Sequence, residues 1–299
     1  MSMLAVQEGF EGGPDSHLFY LYVNQPAPAA GDPGYSQIFA CGIPSGEWVQ
    51  NWPAAPPVNL VTITCQSGSD PHLFGLDSDS NLWAIGLTGS NPKWIQNWPS
   101  AAPADFKSIA AVSGDTAYLF GIDMAGSIYS CNINDGSWSK DWPGSTKYSW
   151  VPESYLAAQN PPSPHLFLYG TVPSIQGSGA MYFNGLCDVP SGSWLEGWLG
   201  PLEIDQLAAI ATDAASSRPV ALASLNEGEI FVSTWDGSKT WTTWTKWAQP
   251  GSSLTFIAAQ GGSDAHIFGL DDNGNLWATG YPIGSWVQNW PRALPITGP

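Results

Sequence analysis

The chain has 299 residues, of which 43% are hydrophobic and 11% are charged, and its formal net charge is −17. Phosphate binding needs clustered cations, and with eight lysines and arginines against 25 aspartates and glutamates we expect no nucleic acid partner. The same shortage of cations argues against adhesion to anionic membranes through a basic patch. The 17 tryptophans, 26 prolines and 33 glycines indicate short strands, frequent turns and a large aromatic surface.

The first residues predict the cellular compartment. Residues 1–8 contain neither a basic stretch nor an apolar core, so we expect no signal peptide. No later stretch approaches the roughly 18 apolar residues of a membrane span, so we expect no membrane insertion. Of the four cysteines, Cys41 and Cys131 occupy the same position of two non-adjacent repeats, which are too far apart to bridge. We therefore expect free thiols and a cytoplasmic location, with release by a non-classical route as the alternative.

Six copies of one pattern follow one another along the chain. Anchored on a strand of the form His-Leu-Phe-Gly-Leu-Asp, the copies begin at positions 17, 72, 118, 165, 220 and 266. A period near 46 residues is typical of propeller blades. We predict an all-β chain folded as a single six-bladed β-propeller with four antiparallel strands per blade. The predicted blades are approximately 1–55, 56–102, 103–150, 151–201, 202–250 and 251–299.

Each copy contains four strand-like segments in a fixed order, which we name A to D. Strand A is rich in alanine, which suits the crowded innermost position around a channel. Strand B is the His-Leu-Phe segment, and an Asp/Asn/Gly turn follows it. Strand D has the form Trp-x-x-x-Trp-Pro, which is altered in the fifth copy. Strand C carries one aromatic residue, interpreted as part of the core: Phe39, Trp83, Tyr129, Tyr182, Phe231 and Trp277.

Candidate ligand-binding residues recur at one rim of the blades. The chain has four histidines, all at the first position of strand B: His17, His72, His165 and His266. Three of them follow an aspartate by two residues: Asp15, Asp70 and Asp264. A glutamine closes strand A in the same four copies: Gln7, Gln66, Gln159 and Gln260. The C–D turn lies at the same rim, so we expect the first tryptophan of strand D beside each histidine: Trp48, Trp94, Trp194 and Trp286.

This set of side chains has the chemistry of a sugar site. An indole face packs on the C–H face of a sugar ring, while amide, imidazole and carboxylate groups bond its hydroxyls. The structural alternative is that the aspartate closes the A–B turn and the tryptophans pack blade against blade. Tyr118 and Val220 replace histidine in two copies, which favours a ligand role for the histidines elsewhere. The first, second and sixth copies are the most alike, so their sites are expected to be the best preserved.

Signatures of catalysis are missing from the sequence. It contains no phosphate-binding loop and no metal-ligand spacing, so we expect no catalytic residue, no metal and no cofactor. The leading hypothesis is a multivalent lectin, because near-identical copies suit repeated binding sites. A propeller hydrolase or lyase with one site at the channel mouth is the first alternative, and a protein-interaction scaffold is the second.

The repeated pattern resembles that of tectonin-type and related fungal and bacterial β-propeller lectins. The resemblance lies in an alanine-rich strand followed by Leu-Phe-Gly-Leu-Asp, Asn-Leu-Trp-Ala and Trp-Val-Gln-Asn-Trp. It implies multivalent binding of glycans, as mono- or oligosaccharide ends of cell-surface glycoconjugates, and a role in defence. The chain is also similar to six-bladed fucose-binding lectins, whose sites use Arg and Glu. With only Arg218 and Arg292, it cannot repeat such an arginine site around the ring.

Overall fold

A computed structural model of the protein describes most of the chain. The described residues are 4–8, 16–23, 36–43, 46–113, 117–141, 155–159, 164–173, 180–189, 194–196, 206–211, 220–226, 228–234, 243–247, 249–261, 265–281 and 284–295. For parts of the fourth and fifth blades only the backbone is described. These residues form strands and turns without any helix, and hence no helix long and apolar enough to cross a membrane.

The described residues contain twenty-four strands, which form six blades. The first two blades contain Leu4–Gln7 (β1), Ser16–Val23 (β2), Ser36–Ile43 (β3), Trp48–Gln50 (β4), Leu60–Gln66 (β5), His72–Asp77 (β6), Leu82–Gly86 (β7) and Ile95–Gln96 (β8). The next two contain Phe106–Val112 (β9), Tyr118–Asp123 (β10), Ile128–Asn132 (β11), Trp138–Lys140 (β12), Tyr155–Gln159 (β13), His165–Pro173 (β14), Ala180–Asp188 (β15) and Trp194–Glu196 (β16). The last two contain Gln206–Ala211 (β17), Val220–Asn226 (β18), Glu229–Thr234 (β19), Thr245–Lys246 (β20), Leu254–Gln260 (β21), His266–Asp271 (β22), Leu276–Gly280 (β23) and Val287–Gln288 (β24).

The strands pair as six separate four-stranded sheets, each an antiparallel meander in chain order. The innermost strand of each sheet contacts the innermost strands of both neighbouring sheets, and β21 contacts β1, so the sheets close into a ring. Among the described residues, apolar clusters fill the space between the sixth and first, first and second, second and third, third and fourth, and fifth and sixth blades, which suits blades that are apolar on both sides. The predicted all-β, six-bladed architecture is confirmed.

The core consists of layers between adjacent blades. The third residue of strand B supplies the largest fully buried side chains, which are Phe19, Phe74, Phe120, Phe167 and Phe268. At the seam between the two ends of the chain, Leu4 and Leu18 of the first blade pack with Phe268 and Ala278 of the sixth. Burying such side chains contributes about 1.5–3 kcal/mol each, so the seam is held by the same forces as the other interfaces.

An aspartate at the end of strand B organises the next turn. Asp77 accepts hydrogen bonds from the backbone N–H groups of Asp79 and Asn81, and from the indole Nε1 of Trp83 at 3.0 Å. Burial alone would raise the pKa of Asp77, but the hydrogen bonds from Trp83 and Asn81 outweigh it and hold the pKa below its usual value. The strand C tryptophan is therefore tied to its own blade, as expected of a structural residue.

Near the channel, hydrogen bonds run from blade to blade at the ends of the innermost strands. The backbone N–H of Gly261 donates to Oε1 of Glu8 at 2.6 Å, and the Glu8 N–H donates to the Ser67 hydroxyl at 2.7 Å. The Ser67 N–H in turn donates to the Ser113 hydroxyl at 2.5 Å. These three hydrogen bonds join the sixth, first, second and third blades. They fix the positions of the strand A ends relative to one another.

The cysteines are part of the interior. Cys41, Cys65 and Cys131 are buried free thiols, and the side chain of Cys187 lies outside the described residues. Cys41 pairs with Trp48 and Cys131 pairs with Trp138, so the predicted equivalence of these two cysteines is confirmed. Burial, with a smaller effect of Glu47, raises the pKa of Cys41 to about 12. This thiol is therefore protonated and unreactive in the native protein.

Candidate functional site between the blades

Each histidine is the middle residue of a row that crosses three strands. On one side it pairs directly with the glutamine that ends strand A, as in Gln7 with His17 and Gln66 with His72. On the other side it pairs with the last part of strand C, where His17 faces Gly42 and His72 faces Gly86. Paired residues in an antiparallel sheet point to the same face. The glutamine, the imidazole and the glycine therefore form one polar row at the rim.

The glutamines position the histidines. Nδ1 of His17 lies 2.9 Å from Oε1 of Gln7, and Nε2 of Gln7 donates to the carbonyl of Glu8 at 3.2 Å. Gln7 is fully buried, and both its Oε1 and its Nε2 are hydrogen-bonded within the protein. The predicted direct contact between the glutamines and a ligand therefore has no support from the geometry. Gln7 instead accepts the Nδ1 proton of the His17 imidazole and so fixes which ring nitrogen carries it.

The same arrangement recurs at His72. Its Nδ1 lies 2.9 Å from the Asp70 carbonyl and 3.3 Å from Oε1 of Gln66. A carbonyl only accepts, so Nδ1 carries the proton and Nε2 presents a lone pair. Within the described part of the chain, Nε2 of His72 has no hydrogen-bond partner. The free lone pair is the feature of this row that a ligand hydroxyl can use.

A tryptophan stacks on each of three histidines, and it is the second tryptophan of strand D. The ring centroids of His17 and Trp52 are 4.6 Å apart with an interplanar angle of 18°. His72 stacks on Trp98 at 4.3 Å, and the third pair, His266 with Trp290, stacks at 4.7 Å. These tryptophans were not predicted as site residues, although the Gln-Asn-Trp-Pro segment that contains them occurs in the same three copies.

The first tryptophan of strand D packs against the neighbouring blade. The prediction that it lies beside the histidine of its own blade is wrong. Trp48 pairs with Cys41, one residue before the Gly42 that faces His17, and successive residues of a strand point to opposite faces. Trp48 accordingly packs in the layer between the sixth and first blades, and its Nε1 donates to the Arg292 carbonyl at 3.1 Å. Trp94 likewise packs between the first and second blades and donates to the Ala54 carbonyl at 3.0 Å.

Three grooves between blades follow from this arrangement, and we name them by their blades. Each brings together a histidine and its stacked tryptophan from one blade and the first strand D tryptophan from the next. The 6/1 groove contains His266, Trp290 and Trp48. The 1/2 groove contains His17, Trp52 and Trp94, and the 2/3 groove contains His72, Trp98 and Trp138.

The other predicted residues lie apart from these grooves. Trp286 packs between the fifth and sixth blades, away from the predicted partner His266, and Trp194 packs beside Tyr118 of the third blade. In the fourth blade His165 bonds Oε1 of Gln159 at 3.1 Å, but strand C places Asp188 opposite it where the grooves have glycine. In the 6/1 groove Gln260 is the register partner of His266, but it donates to the Ser16 hydroxyl at 3.3 Å and its buried Oε1 has no partner, so unlike Gln7 it does not hold its histidine. These residues remain candidates without the full set of groove partners.

The aspartates that precede the histidines are described in one copy only. Asp70 is exposed, and it is its backbone carbonyl that meets His72. Asp15 and Asp264 lie outside the described residues. The predicted alternative, that this residue helps to close the A–B turn, fits the Asp70 carbonyl contact. The exposed carboxylate adds a negative charge beside the groove.

A glycine leaves space beside the imidazole. A Cβ placed on Gly86 would have Nε2 of His72 at 3.8 Å and the Thr88 carbonyl at 3.9 Å as its nearest neighbours. These are ordinary contact distances, so this glycine is not required by packing. Gly42 and Gly280 occupy the same register position opposite His17 and His266. The space at Gly86 was not predicted from the sequence, although glycine recurs two residues after the alanine of strand C in these three copies.

The protonation state of His72 predicts a pH dependence of stability. Burial lowers the pKa of His72, and the Asp70 carboxylate and carbonyl offset part of that effect. The unfolded chain therefore binds a proton at His72 more readily than the native protein does. The stabilisation that comes from a neutral His72 is complete above about pH 6.5 and is lost as the pH falls below it. Urea unfolding at pH 7.5 and 5.5 should show a smaller pH effect in His72→Phe than in wild type, by up to about 1 kcal/mol. Equal pH effects would show that His72 protonates freely in the native protein.

Metal ligation has no support in the described residues. They contain no group of three or more histidines, cysteines, aspartates and glutamates arranged to hold a metal ion. The 2/3 groove instead combines aromatic faces with the Nε2 lone pair of His72 and the small side of Gly86, which is chemistry for binding a small polar molecule.

Comparison with solved structures identifies the architecture. The fucose-specific lectin from Aleuria aurantia has a TM-score of 0.67 and 16% identity over 100% of this chain and 97% of its own. AofleA from Arthrobotrys oligospora has a TM-score of 0.66 and 16% identity, covering 99% of this chain and 87% of its own. The Aleuria lectin is described as a six-bladed β-propeller.

The chain has the six-bladed β-propeller fold.

A third similar structure is the SapL1 lectin in complex with α-methyl fucoside, with a TM-score of 0.58 and 14% identity, covering 87% of this chain and 92% of its own. No protein-family model and no curated protein matches the sequence. At these identities the similarity concerns the fold, and the tectonin-type resemblance stays a prediction.

Proposed function

We propose that the protein is a non-catalytic, multivalent carbohydrate-binding protein whose sites are the three grooves. The observation that carries the proposal is the threefold recurrence of one histidine–tryptophan stack with a glycine opposite the histidine. An enzyme needs one unique constellation, whereas a lectin uses near-identical copies. Two similar solved structures of the Aleuria aurantia lectin and one of the SapL1 lectin add support, because all three are described with fucose or a fucoside.

In each groove the parts have separate roles. The half-buried indoles, such as Trp52 and Trp94 in the 1/2 groove, offer apolar faces for the C–H side of a sugar ring. In the 2/3 groove Nε2 of His72 accepts a hydroxyl proton, because the Asp70 carbonyl and Gln66 hold the proton of the imidazole on Nδ1. The glycine leaves room for the sugar. Single sites of this kind are weak, so affinity for a glycan-coated surface comes from simultaneous binding at several grooves.

Filling the glycine notch tests this function directly. Calorimetry with a monovalent sugar, chosen from a glycan array, should give a stoichiometry of about three for the wild type. Gly86→Val should reduce it to about two, because the added side chain occupies the 2/3 groove beside Nε2 of His72. The protein should also agglutinate beads that carry the glycan.

A second glycine provides the matched control. A Cβ on Gly251 would meet only Trp277, at 3.8 Å, and Gly251 lies outside the grooves. Gly251→Val should therefore keep the wild-type stoichiometry. A wild-type stoichiometry of one would refute the repeated-site proposal and would favour a single site at the channel mouth.

A further inference from the structure

The first tryptophan of strand D is fastened to the neighbouring blade in two of the three grooves. Nε1 of Trp48 donates to the Arg292 carbonyl at 3.1 Å, and Nε1 of Trp94 donates to the Ala54 carbonyl at 3.0 Å. In both cases the accepting residue comes two positions after the tryptophan that stacks on the histidine. Each bond satisfies the indole N–H within the protein and holds the indole in one orientation.

The equivalent indole of the 2/3 groove has no such bond. Nε1 of Trp138 is buried, and within the described part of the chain it has no hydrogen-bond partner. The ring of Phe106 lies against the indole, with 5.2 Å between the centroids. The second blade has the smaller Leu60 at that register position, which gives a physical reason why Trp94 and Trp138 differ. A buried donor without an acceptor is unfavourable, so an oxygen that reaches it gains more than an ordinary hydrogen bond.

The same groove also contains an acceptor without a donor. Nδ1 of His72 carries the proton, because it lies 2.9 Å from the Asp70 carbonyl, and Nε2 therefore presents a lone pair. His72 stacks on Trp98, and Trp98 and Trp138 pack on the same apolar cluster between the second and third blades. One wall of the groove thus has a hydrogen-bond acceptor to offer and the other wall has a donor. A sugar hydroxyl can donate to the first while another oxygen of the sugar accepts from the second.

An unpartnered indole is not sufficient for a site. Nε1 of Trp194, the equivalent tryptophan of the fourth blade, is also buried without a partner. Trp194 packs beside Tyr118, however, at the position where the third blade lacks a histidine. The 2/3 groove is distinguished by having the free indole N–H and the free imidazole lone pair together.

We propose that the 2/3 groove is the primary sugar site of the protein. Nε2 of His72 accepts a hydroxyl proton of the sugar, and the Trp138 indole turns so that its N–H donates to a second oxygen of the same sugar. The turn is required because Nε1 is enclosed, and it is possible because Trp138 is partly exposed and is not bonded to the second blade. This inference rests on the proposed function and adds which groove binds most tightly. The additional hydrogen bond corresponds to about fivefold tighter binding or more.

Calorimetry tests the proposed difference between the grooves. With a monovalent sugar that binds the wild type, the isotherm should show one site about fivefold or more tighter than the others. Trp138→Phe keeps an aromatic face but removes the N–H, and it should weaken the tight site to the level of the others. Trp194→Phe makes the same exchange at an indole without a histidine across the interface, and it should leave the tight site unchanged.

The outcomes separate this inference from the proposed function. Equal affinities at all wild-type sites, or a tight site that persists in Trp138→Phe, would overturn the primary role of the 2/3 groove and leave the lectin function intact. A protein that binds no sugar would overturn the lectin function itself. The wild-type isotherm needs no variant, so the inference stays testable even if an exchange impairs folding.

Two further measurements follow the indole directly. In heteronuclear NMR spectra, the indole N–H resonance that is missing from Trp138→Phe should move downfield when the wild type is saturated with sugar, because the N–H gains an acceptor. In urea unfolding without sugar, Trp94→Phe should lower the midpoint more than Trp138→Phe, because only Trp94 loses an existing hydrogen bond. An unmoved resonance, or equal losses of stability, would show that the Trp138 N–H is not available to the ligand and would overturn the inference.

Discussion

Binding to a glycan-coated surface should fall by about a hundredfold or more when the glutamine–histidine pairs of the three grooves are replaced together by valine and phenylalanine. The exchanges are Gln7→Val with His17→Phe, Gln66→Val with His72→Phe, and Gln260→Val with His266→Phe. Phenylalanine keeps an aromatic ring against Trp52, Trp98 and Trp290 but removes both imidazole nitrogens. Each site loses a hydrogen bond worth about 1 kcal/mol, and simultaneous loss at three sites removes the avidity.

The third blade shows that such a pair folds. It has Val112 where four other blades have glutamine and Tyr118 where those four have histidine, and these two residues pair in the same register. Tyr118 stacks on Phe120 at 5.9 Å, close to the 6.2 Å between His17 and Phe19. Replacing the glutamine as well avoids a buried amide that has lost its partner, which alone would cost about 1–3 kcal/mol.

The control exchange is Gln159→Val with His165→Phe in the fourth blade, where strand C does not have a glycine opposite the histidine. This variant should bind the surface as the wild type does. Surface plasmon resonance on the immobilised glycan measures both, and circular dichroism checks that both are folded. A folded triple-groove variant that binds unchanged would show that the histidines are structural.

Gly121→Ala should lower the free energy of unfolding by about 1–3 kcal/mol, the largest effect on stability that we expect from a single methyl group. A Cβ at this position would lie 2.6 Å from Cδ2 and Cε2 of Phe106. The phenyl ring is buried and is packed against Tyr129 at 5.4 Å and Trp138 at 5.2 Å, so it cannot withdraw.

The cause is a bulge at the start of strand A. The register shifts between Ile122 and Asp123, which carries Phe106 across the face of Gly121. The same shift places Leu60 and Leu254 over the glycines of the second and sixth blades, with a Cβ approach of 2.8 Å at Gly75 and 2.3 Å at Gly269. This explains why glycine recurs in the middle of strand B.

Gly86→Ala is the matched control, since its nearest contact would be 3.8 Å away. Guanidinium unfolding should give it the wild-type midpoint while the midpoint of Gly121→Ala falls. If both variants unfold alike, the close approach of Phe106 is relieved by backbone adjustment and our account of the strand B glycine is wrong.

The architecture was predictable because it depends on patterns between residues that are close in the chain. The copies repeat with a period near 46 residues, and each contains short strand segments separated by turns. The turns after strand B are formed around aspartates such as Asp77 and Asp271. These features are contained within each copy and specify a four-stranded blade. The rim position of His17, His72 and His266 was predictable for the same reason, since each begins strand B. The free thiol of Cys41 was predictable from its equivalence with Cys131 in a non-adjacent copy.

The partners of the histidines depended on the tertiary structure. Side chains alternate between the two faces of a strand, so a register difference of one residue placed Trp48 on the face opposite His17. Each face then meets a different blade, and Trp52 instead of Trp48 stacks on His17. The notch opposite the imidazole also depended on cross-strand register, because Gly86 meets His72 only once β6 and β7 are paired. The sequence by itself determined the number of blades and the rim that carries the polar residues, since both follow from contacts close in the chain. The composition of each groove was decided by the packing of two blades, because it joins residues that no local pattern relates.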